Sequence, residues 1–251
     1  MQVSDGLYCL PLSVPALGQI NVIHPAVVVH QGQATLVDTG YPGNVPLIQQ
    51  ALEQQGLTLN DVTAIILTHQ DIDHIGSLPA LLEAIPHPVA VLATEGEKPY
   101  IQGEKRLIKV TPESVERAMA NLPASVTEEQ RQAFRNRLEN PPKAPVTALL
   151  EDGQVIGALT VILTPGHTPG HMSLYHAASK TLLAADAMVV AENQLQGPIP
   201  AYCYDYPLAR QSLNKFTGLD VNKVICYHGG EFADNVNQRI AELAAEAGNH
   251  A

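Results

Sequence analysis

The stretch Thr68-His69-Gln70-Asp71-Ile72-Asp73-His74-Ile75-Gly76 decides how this chain is read. It follows the apolar, β-branched run Val62 to Leu67, which predicts a short buried strand. Four potential metal ligands, His69, Asp71, Asp73 and His74, fall within six residues directly after that strand. Strand ends and the loops beyond them are where rigid scaffolds carry their sites. Neutral imidazole and carboxylate are ligands that zinc, iron and manganese accept. Polar loops also collect Asp and His for no chemical reason, so the cluster needs company elsewhere in the chain.

That company comes in three later segments. Thr164-Pro165-Gly166-His167 closes an apolar run and is repeated at once by Thr168-Pro169-Gly170-His171. Ala184-Ala185-Asp186 puts an acid at the end of the run Leu182 to Ala185, and Cys226-Tyr227-His228-Gly229-Gly230 puts a His at the end of another. Taken singly, Asp186 reads as a cap or turn residue and His228 as a turn histidine. Together they place candidate ligands at four strand ends.

Working outward, Ile20 to His30 and Ala34 to Val37 read as a hairpin across Gln31-Gly32. Asn44 can cap a helix from Val45 to Gln55 that ends at Gly56. A helix follows at Ser77 to Ile85, and a strand at Val89 to Ala93. Glu95 to Ala144 is charged, helical in pattern and thin in apolar residues. It reads as an insertion anchored by Met119, Leu122, Phe134 and Leu138. Strand signals return at Val146–Leu150, Gln154–Ile156, Leu159–Leu163, His171–His176, Thr181–Ala185 and Val221–Tyr227. Helices are expected at Leu208 to Phe216 and Asn235 to Ala247, the last with Ile240, Leu243 and Ala244 as its core stripe. Two sheets packed face to face with helices outside would bury these strands. Residues 1–251 are expected to form a single domain, with the insertion at about 95–144.

Composition bounds the partners. The chain has 14 Lys plus Arg against 25 Asp plus Glu, a formal charge of −11. That balance argues against holding nucleic acid by charge and against docking on anionic membranes. No apolar run approaches the ~20 residues of a membrane span, and Met1 to Leu10 does not read as a secretory signal. The three cysteines, Cys9, Cys203 and Cys226, match no disulfide framework and are expected to be buried and apolar. A cytoplasmic protein is the expectation, as a monomer or homodimer acting on a small molecule.

The motifs LVDTG (36–40), THQDIDHIG (68–76), TPGHTPGH (164–171), AAD (184–186) and YHGG (227–230) resemble those of the metallo-β-lactamase superfamily of metal-dependent hydrolases. The resemblance runs over nearly the whole chain. It implies an α/β fold, the four-layer αββα sandwich, with a binuclear metal site along one edge of the two sheets. It implies that His69, Asp71 and His167 hold one metal, that Asp73, His74 and His228 hold the other, and that Asp186 bridges both. Asp38 looks like the acid that orients the site, and His171 has a similar supporting place. Most of the superfamily has His where this chain has Asp71. Carboxylate is a harder ligand than imidazole, and the flavodiiron proteins carry an acid there. Two divalent ions, zinc first and iron or manganese as alternatives, are the implied cofactors.

Two such ions can share a hydroxide by lowering the pKa of its parent water toward ~7. Asp73 is then placed as the catalytic acid–base group, orienting the nucleophile and passing a proton to the leaving group. The expected reaction is hydrolysis of an ester-like bond, a lactone or thioester, since TPGHTPGHMSLY looks most like the lactonase and glyoxalase II branch. Val189 stands where N-acyl-homoserine lactonases have Tyr, and Ala241 to Ala251 lacks the basic residues of a glutathione-binding tail. Tyr100, Tyr202, Tyr204 and Tyr206 are candidates for the pocket wall, and the insertion, with Glu97-Lys98-Pro99-Tyr100-Ile101, is expected to form one wall or lid over the site. Two rival readings stand beside the hydrolase. One is a di-iron redox enzyme motivated by Asp71, although the chain leaves no length after residue 230 for a flavodoxin-like domain. The other is a metal-binding protein without catalysis.

Overall fold

The computed structural model describes residues 1–16 and 19–248. His250, given no role above, and the rest of 249–251 lie outside the described residues. The first sheet is built from β1 (Gln2–Ser4), β2 (Leu7–Cys9), β5 (Ala26–His30), β6 (Gln33–Val37), β7 (Val62–Ile66), β8 (Ala90–Thr94) and β9 (Ala148–Leu150), in that spatial order. Between β2 and β5 the chain leaves the sheet as a hairpin, β3 (Leu12–Ala16) and β4 (Gln19–Ile23). The second sheet has the order β10 (Val155–Ile156), β11 (Leu159–Leu163), β12 (Met172–His176), β13 (Thr181–Ala185), β16 (Lys223–Cys226) and β17 (Gly230–Phe232). A small hairpin, β14 (Val189–Ala191) and β15 (Gln194–Gln196), follows β13.

Side-chain alternation makes this a sandwich. Val28, Val37, Ile66 and Leu92 face the second sheet, where they meet Val161, Leu174, Leu183 and Ile225. Their neighbours Val27, Leu36, Ile65 and Val91 point the other way, into a core shared with helices α1 (Val45–Glu53) and α3 (Leu78–Ala84). On the far side Leu182 and Val224 pack against α8 (Val236–Gly248) and the turn that follows α7 (Tyr206–Ser212), with α7 lying on that turn and on α8. Strands buried on both faces must read as continuous apolar runs, and these do. Each fully buried Leu, Ile or Val contributes about 1.5–3 kcal/mol of transfer free energy. The result is the four-layer αββα arrangement.

The connection from β8 to β9 carries α4 (Lys98–Ile101), α5 (Pro112–Ala120) and α6 (Glu128–Glu139), and the two strands it joins pair in parallel. The expected anchors there need correcting. Leu122 is buried, but Met119, Phe134 and Leu138 are only half-buried; Ile101, Leu107 and Val115 do the anchoring instead. Ile20 to His30 is two strands, not one. The break falls at His24-Pro25, where Pro has no N–H to give a ladder. Asn44 makes no side-chain cap; its Oδ1 accepts from the Tyr41 N–H at 2.8 Å, closing the turn before the helix. Cys9 and Cys226 are buried as expected, whereas Cys203 is only half-buried, and all three are free. No helix among the described residues is long and apolar enough to cross a membrane.

Candidate metal centre

Strand ends of both sheets deliver the candidate ligands to one place. His69 and Asp71 lie in the loop after β7, and Asp73 and His74 on the one-turn helix α2 (Ile72–Ile75) that follows. Asp71 occupies the N-cap of that turn yet makes no capping hydrogen bond, which leaves its carboxylate free to face the site. His167 sits in the turn between β11 and β12, Asp186 just past β13 and His228 just past β16. His69, Asp71, His167 and Asp186 form one group able to hold a metal ion; Asp73, His74 and His228 form a second.

The donor separations suit that purpose. Asp71 Oδ2 lies 3.4 Å from His69 Nε2 and 3.0 Å from His167 Nε2, and Asp186 Oδ2 lies 3.3 Å from His167 Nε2. In the second group His228 Nε2 is 3.2 Å from Asp73 Oδ2, and His74 Nε2 is 3.9 Å from the same oxygen. Asp186 reaches this group too, with Oδ1 3.5 Å from His74 Nε2 and Oδ2 3.5 Å from His228 Nε2. Four donors about 2.0–2.2 Å from a tetrahedral ion stand about 3.3–3.6 Å from one another. Buried His69 Nε2, His74 Nε2 and Asp186 Oδ1 have no hydrogen-bond partner. Buried polar atoms are rarely left so, and an ion is the partner these three fit.

Hydrogen bonds on the far side of each ring keep those nitrogens bare. Asp38 Oδ2 accepts from His74 Nδ1 at 2.9 Å and from Thr68 Oγ1 at 2.8 Å, while its Oδ1 accepts from the Thr68 N–H at 2.9 Å. Having given its proton to Asp38, Thr68 Oγ1 accepts from His69 Nδ1 at 3.0 Å. His69 therefore carries its proton on Nδ1 and turns a lone pair on Nε2 toward the site, and because His74 spends its Nδ1 proton on Asp38, its Nε2 is the atom left for an ion. His171 supports Asp186 rather than a ligand ring: its Nε2 accepts the Asp186 N–H at 3.1 Å and its Nδ1 donates to Thr164 Oγ1 at 2.8 Å. Tyr227 stacks on His74 with ring centroids 3.7 Å apart and donates its hydroxyl to the Asp73 carbonyl.

Charge is distributed accordingly. Burial, aided by the neighbouring His74, holds the His69 pKa down at about 4, so it stays neutral. Burial opposes charge on His228 as well, but hydrogen bonds and charge from Asp186 and Asp73 outweigh it and push the pKa up to about 10. Likewise burial works against charge on His74, yet Asp38, Asp186 and Asp73 hold it well above the usual imidazole range. For Asp71 burial is outweighed by His69, His167 and Lys109, and the carboxyl stays well below its usual range.

The sequence reading missed several groups. Lys109, from the connection between β8 and β9, hydrogen-bonds Asp71 Oδ2 and lies 2.7 Å from His167 Nε2. Fully buried Glu97 accepts from the Gln70 N–H and Nε2, each at 2.9 Å, and from the Gly170 N–H at 2.6 Å. It ties the loop of His69 and Asp71 to the turn of His167. Nothing in the local pattern marks a lone Glu before Lys-Pro as buried. The site opens into a cavity of about 520 Å³ lined by Tyr41, Tyr202, Val22, Met188, Val189 and Ile199 among others. Of the four tyrosines expected in its wall, Tyr202 is there. Tyr100 instead packs half-buried against the helix-side core, with Lys105 over its ring. Tyr204 is 62% exposed and touches the site only through its N–H to the His167 carbonyl. Tyr206 opens α7 and turns its ring to Arg210 and a separate groove.

Fold and ligand pattern define a class of metal-site proteins built on an αββα sandwich, and comparison with known proteins agrees. Residues 21–228 match the family described as the metallo-beta-lactamase superfamily, and the chain belongs to that superfamily. It is 30% identical over 223 residues to the "Probable metallo-hydrolase YflN" of Bacillus subtilis (strain 168), covering 83% of this chain and 80% of that protein. Among solved structures, the metallo-beta-lactamase family protein TTHA1429 from Thermus thermophilus superposes with a TM-score of 0.68 at 27% identity, over 99% of this chain and 81% of that one. TTHA1623, solved in a di-iron-bound form, superposes with a TM-score of 0.62 at 21% identity, over 92% of this chain and 97% of that one; that likeness is one of fold.

Proposed function

We propose that this protein is a metal-dependent hydrolase of an ester-like bond, a lactone or thioester, in a small molecule. The observation that carries the reading is the pair of His/Asp groups meeting at Asp186 with bare, buried donor atoms, at the floor of an open cavity. Its relative YflN, named a probable metallo-hydrolase, points the same way. In this reading His69, Asp71 and His167 hold one divalent ion, Asp73, His74 and His228 the other, and Asp186 both. Such ions supply Lewis acidity and a water of lowered pKa. Asp38 and Thr68 hold the two imidazoles in the ligating tautomer. Asp73 orients the attacking water, takes its proton and returns it to the leaving oxygen or sulfur. Val22, Met188, Val189 and Ile199 give the substrate's hydrocarbon part an apolar wall.

Metal analysis of the purified protein, paired with a panel of lactones, thioesters and phosphoesters, tests this. Bound metal with turnover of a lactone or thioester, lost in Asp73→Asn, is the expected result. Iron with oxygen consumption and no ester turnover would establish the redox reading instead. Metal without any turnover would leave a binding protein.

A further inference from the structure

Lys109 is the one lysine or arginine lining the cavity among the described residues, and it is not a wandering surface side chain. Gln70 Oε1 accepts the N–H of the preceding Ile108 at 2.8 Å, and Gln70 is itself clamped by buried Glu97. Ser114 Oγ donates to the Lys109 carbonyl at 2.7 Å, and neighbouring Leu107 is buried in the core. The backbone is therefore fastened on one side of Lys109 to the loop that carries His69 and Asp71, and on the other to the first turn of α5. The ammonium donates to Asp71 Oδ2 and to His167 Nε2. Those two lone pairs are the ones the first metal position would need. The second group, Asp73, His74 and His228, has no lysine or arginine against it among the described residues.

We infer that Lys109 is a built-in competitor for one of the two metal positions, so that the protein holds a single divalent ion tightly at Asp73, His74, His228 and Asp186. A second ion enters at His69, Asp71 and His167 only by displacing the ammonium. The inference rests on the metal-centre reading above and deepens it. Charge favours it locally: Asp71 already has the Lys109 ammonium as its counter-charge, whereas Asp73 and Asp186 have no lysine or arginine against them among the described residues and need the divalent ion. A hydrogen-bonded ammonium on Asp71 also accounts for an acid at a position where imidazole would give that ammonium no ion-pair partner.

Zinc uptake at buffered free concentrations, read as zinc per protein by elemental analysis, tests this without any activity assay. In the wild type the second equivalent should bind at free zinc at least tenfold higher than the first. In Lys109→Met and Lys109→Gln the second step should move at least tenfold lower, while the first stays put. Two equivalents bound by the wild type at one free zinc concentration would overturn the inference whether or not the variants fold. So would folded variants that keep both wild-type steps. Absence of zinc binding in every form would take the metal-centre reading down with it.

Discussion

Asp186 reaches both metal groups because the residue before it is bent out of the strand. Ala185 has φ +48°, and the register with β16 slips between Leu183 and Ala185. A left-handed alanine is costly, of the order of 1–3 kcal/mol. It persists because its carbonyl accepts the Tyr227 N–H at 3.2 Å and His171 holds the Asp186 N–H. Asp38, also left-handed with φ +62°, directs His74 and, through Thr68, His69. Asp38→Asn should therefore weaken metal binding by roughly 10–100-fold, measured against a zinc chelator, since loss of a ligand's supporting partner has that scale. Unchanged affinity would remove Asp38 from the site. When no metal is bound, protons do its work. The His228 pKa rises from 6.5 to about 10, so the stability it contributes is full below pH 6.5 and is lost as pH climbs through 10. Asp71 and Asp186 are depressed below 3.8, with burial outweighed by His69 and by His74 respectively, so their contribution is present above pH 3.8 and lost in acid. Burial holds the His69 pKa down at about 4, so stability also falls as pH drops from 6.5 toward 4, and chelated protein should show its highest urea midpoint near pH 6.5. A midpoint that climbs from pH 7 to 9 would contradict this assignment.

Elements meet at Glu97. It stands just before α4 and accepts three N–H groups, two from Gln70 on the β7 side and one from Gly170 on the β12 side. Removing it strands buried donors at about 1–3 kcal/mol each. Burial raises the Glu97 pKa, so part of that loss is offset by no longer burying a carboxylate. Glu97→Ala should still cost about 3 kcal/mol in urea unfolding, against less than about 0.5 kcal/mol for an ordinary surface change. A value in the surface range would mean that Glu97 does not brace the two loops. Gly166 is a second such joint: with φ +128°, a Cβ there would lie 2.1 Å from the Ala209 N at α7. These joints also show what could be read in advance. The central strands were legible because burial on both faces forces apolar runs such as Leu182–Ala185, and the ligand pattern was legible because each ligand ends such a run. β1, β2, β14 and β17 were not, since three-residue strands are set by the neighbours they pair with. Lys109 and Glu97 were not, because tertiary packing of a charged helical connection brings them in. Tyr206 was misplaced because a run of alternate tyrosines resembles a wall, but the helix begins there and turns that ring away.

On the scale of the whole molecule, the candidate ligands come from both sheets. His69, Asp71, Asp73 and His74 belong to the first sheet's loops; His167, Asp186 and His228 belong to the second's. An ion bound by members of both sets would thus be a further clasp between layers already joined by apolar contact and by hydrogen bonds such as Gly170 to Glu97 and Tyr227 to the Asp73 carbonyl. It would also be a counterion in a chain of net charge −11 whose site gathers the four carboxylates of Asp38, Asp71, Asp73 and Asp186 against one lysine. Unfolding scatters those ligands, so metal affinity is converted into stability. At a free metal concentration 100 times the dissociation constant the gain is about 2.7 kcal/mol. For a protein of about this size, 1 kcal/mol shifts Tm by roughly 2–4 °C. Stripping the metal with a chelator should therefore lower Tm by about 5–10 °C, and returning zinc should restore it. The same treatment of Asp186→Ala should change little, because both groups have lost their common ligand. Identical Tm values with and without chelator in the wild type would show that the clasp carries no load, and that apolar packing and direct hydrogen bonds hold the sheets together.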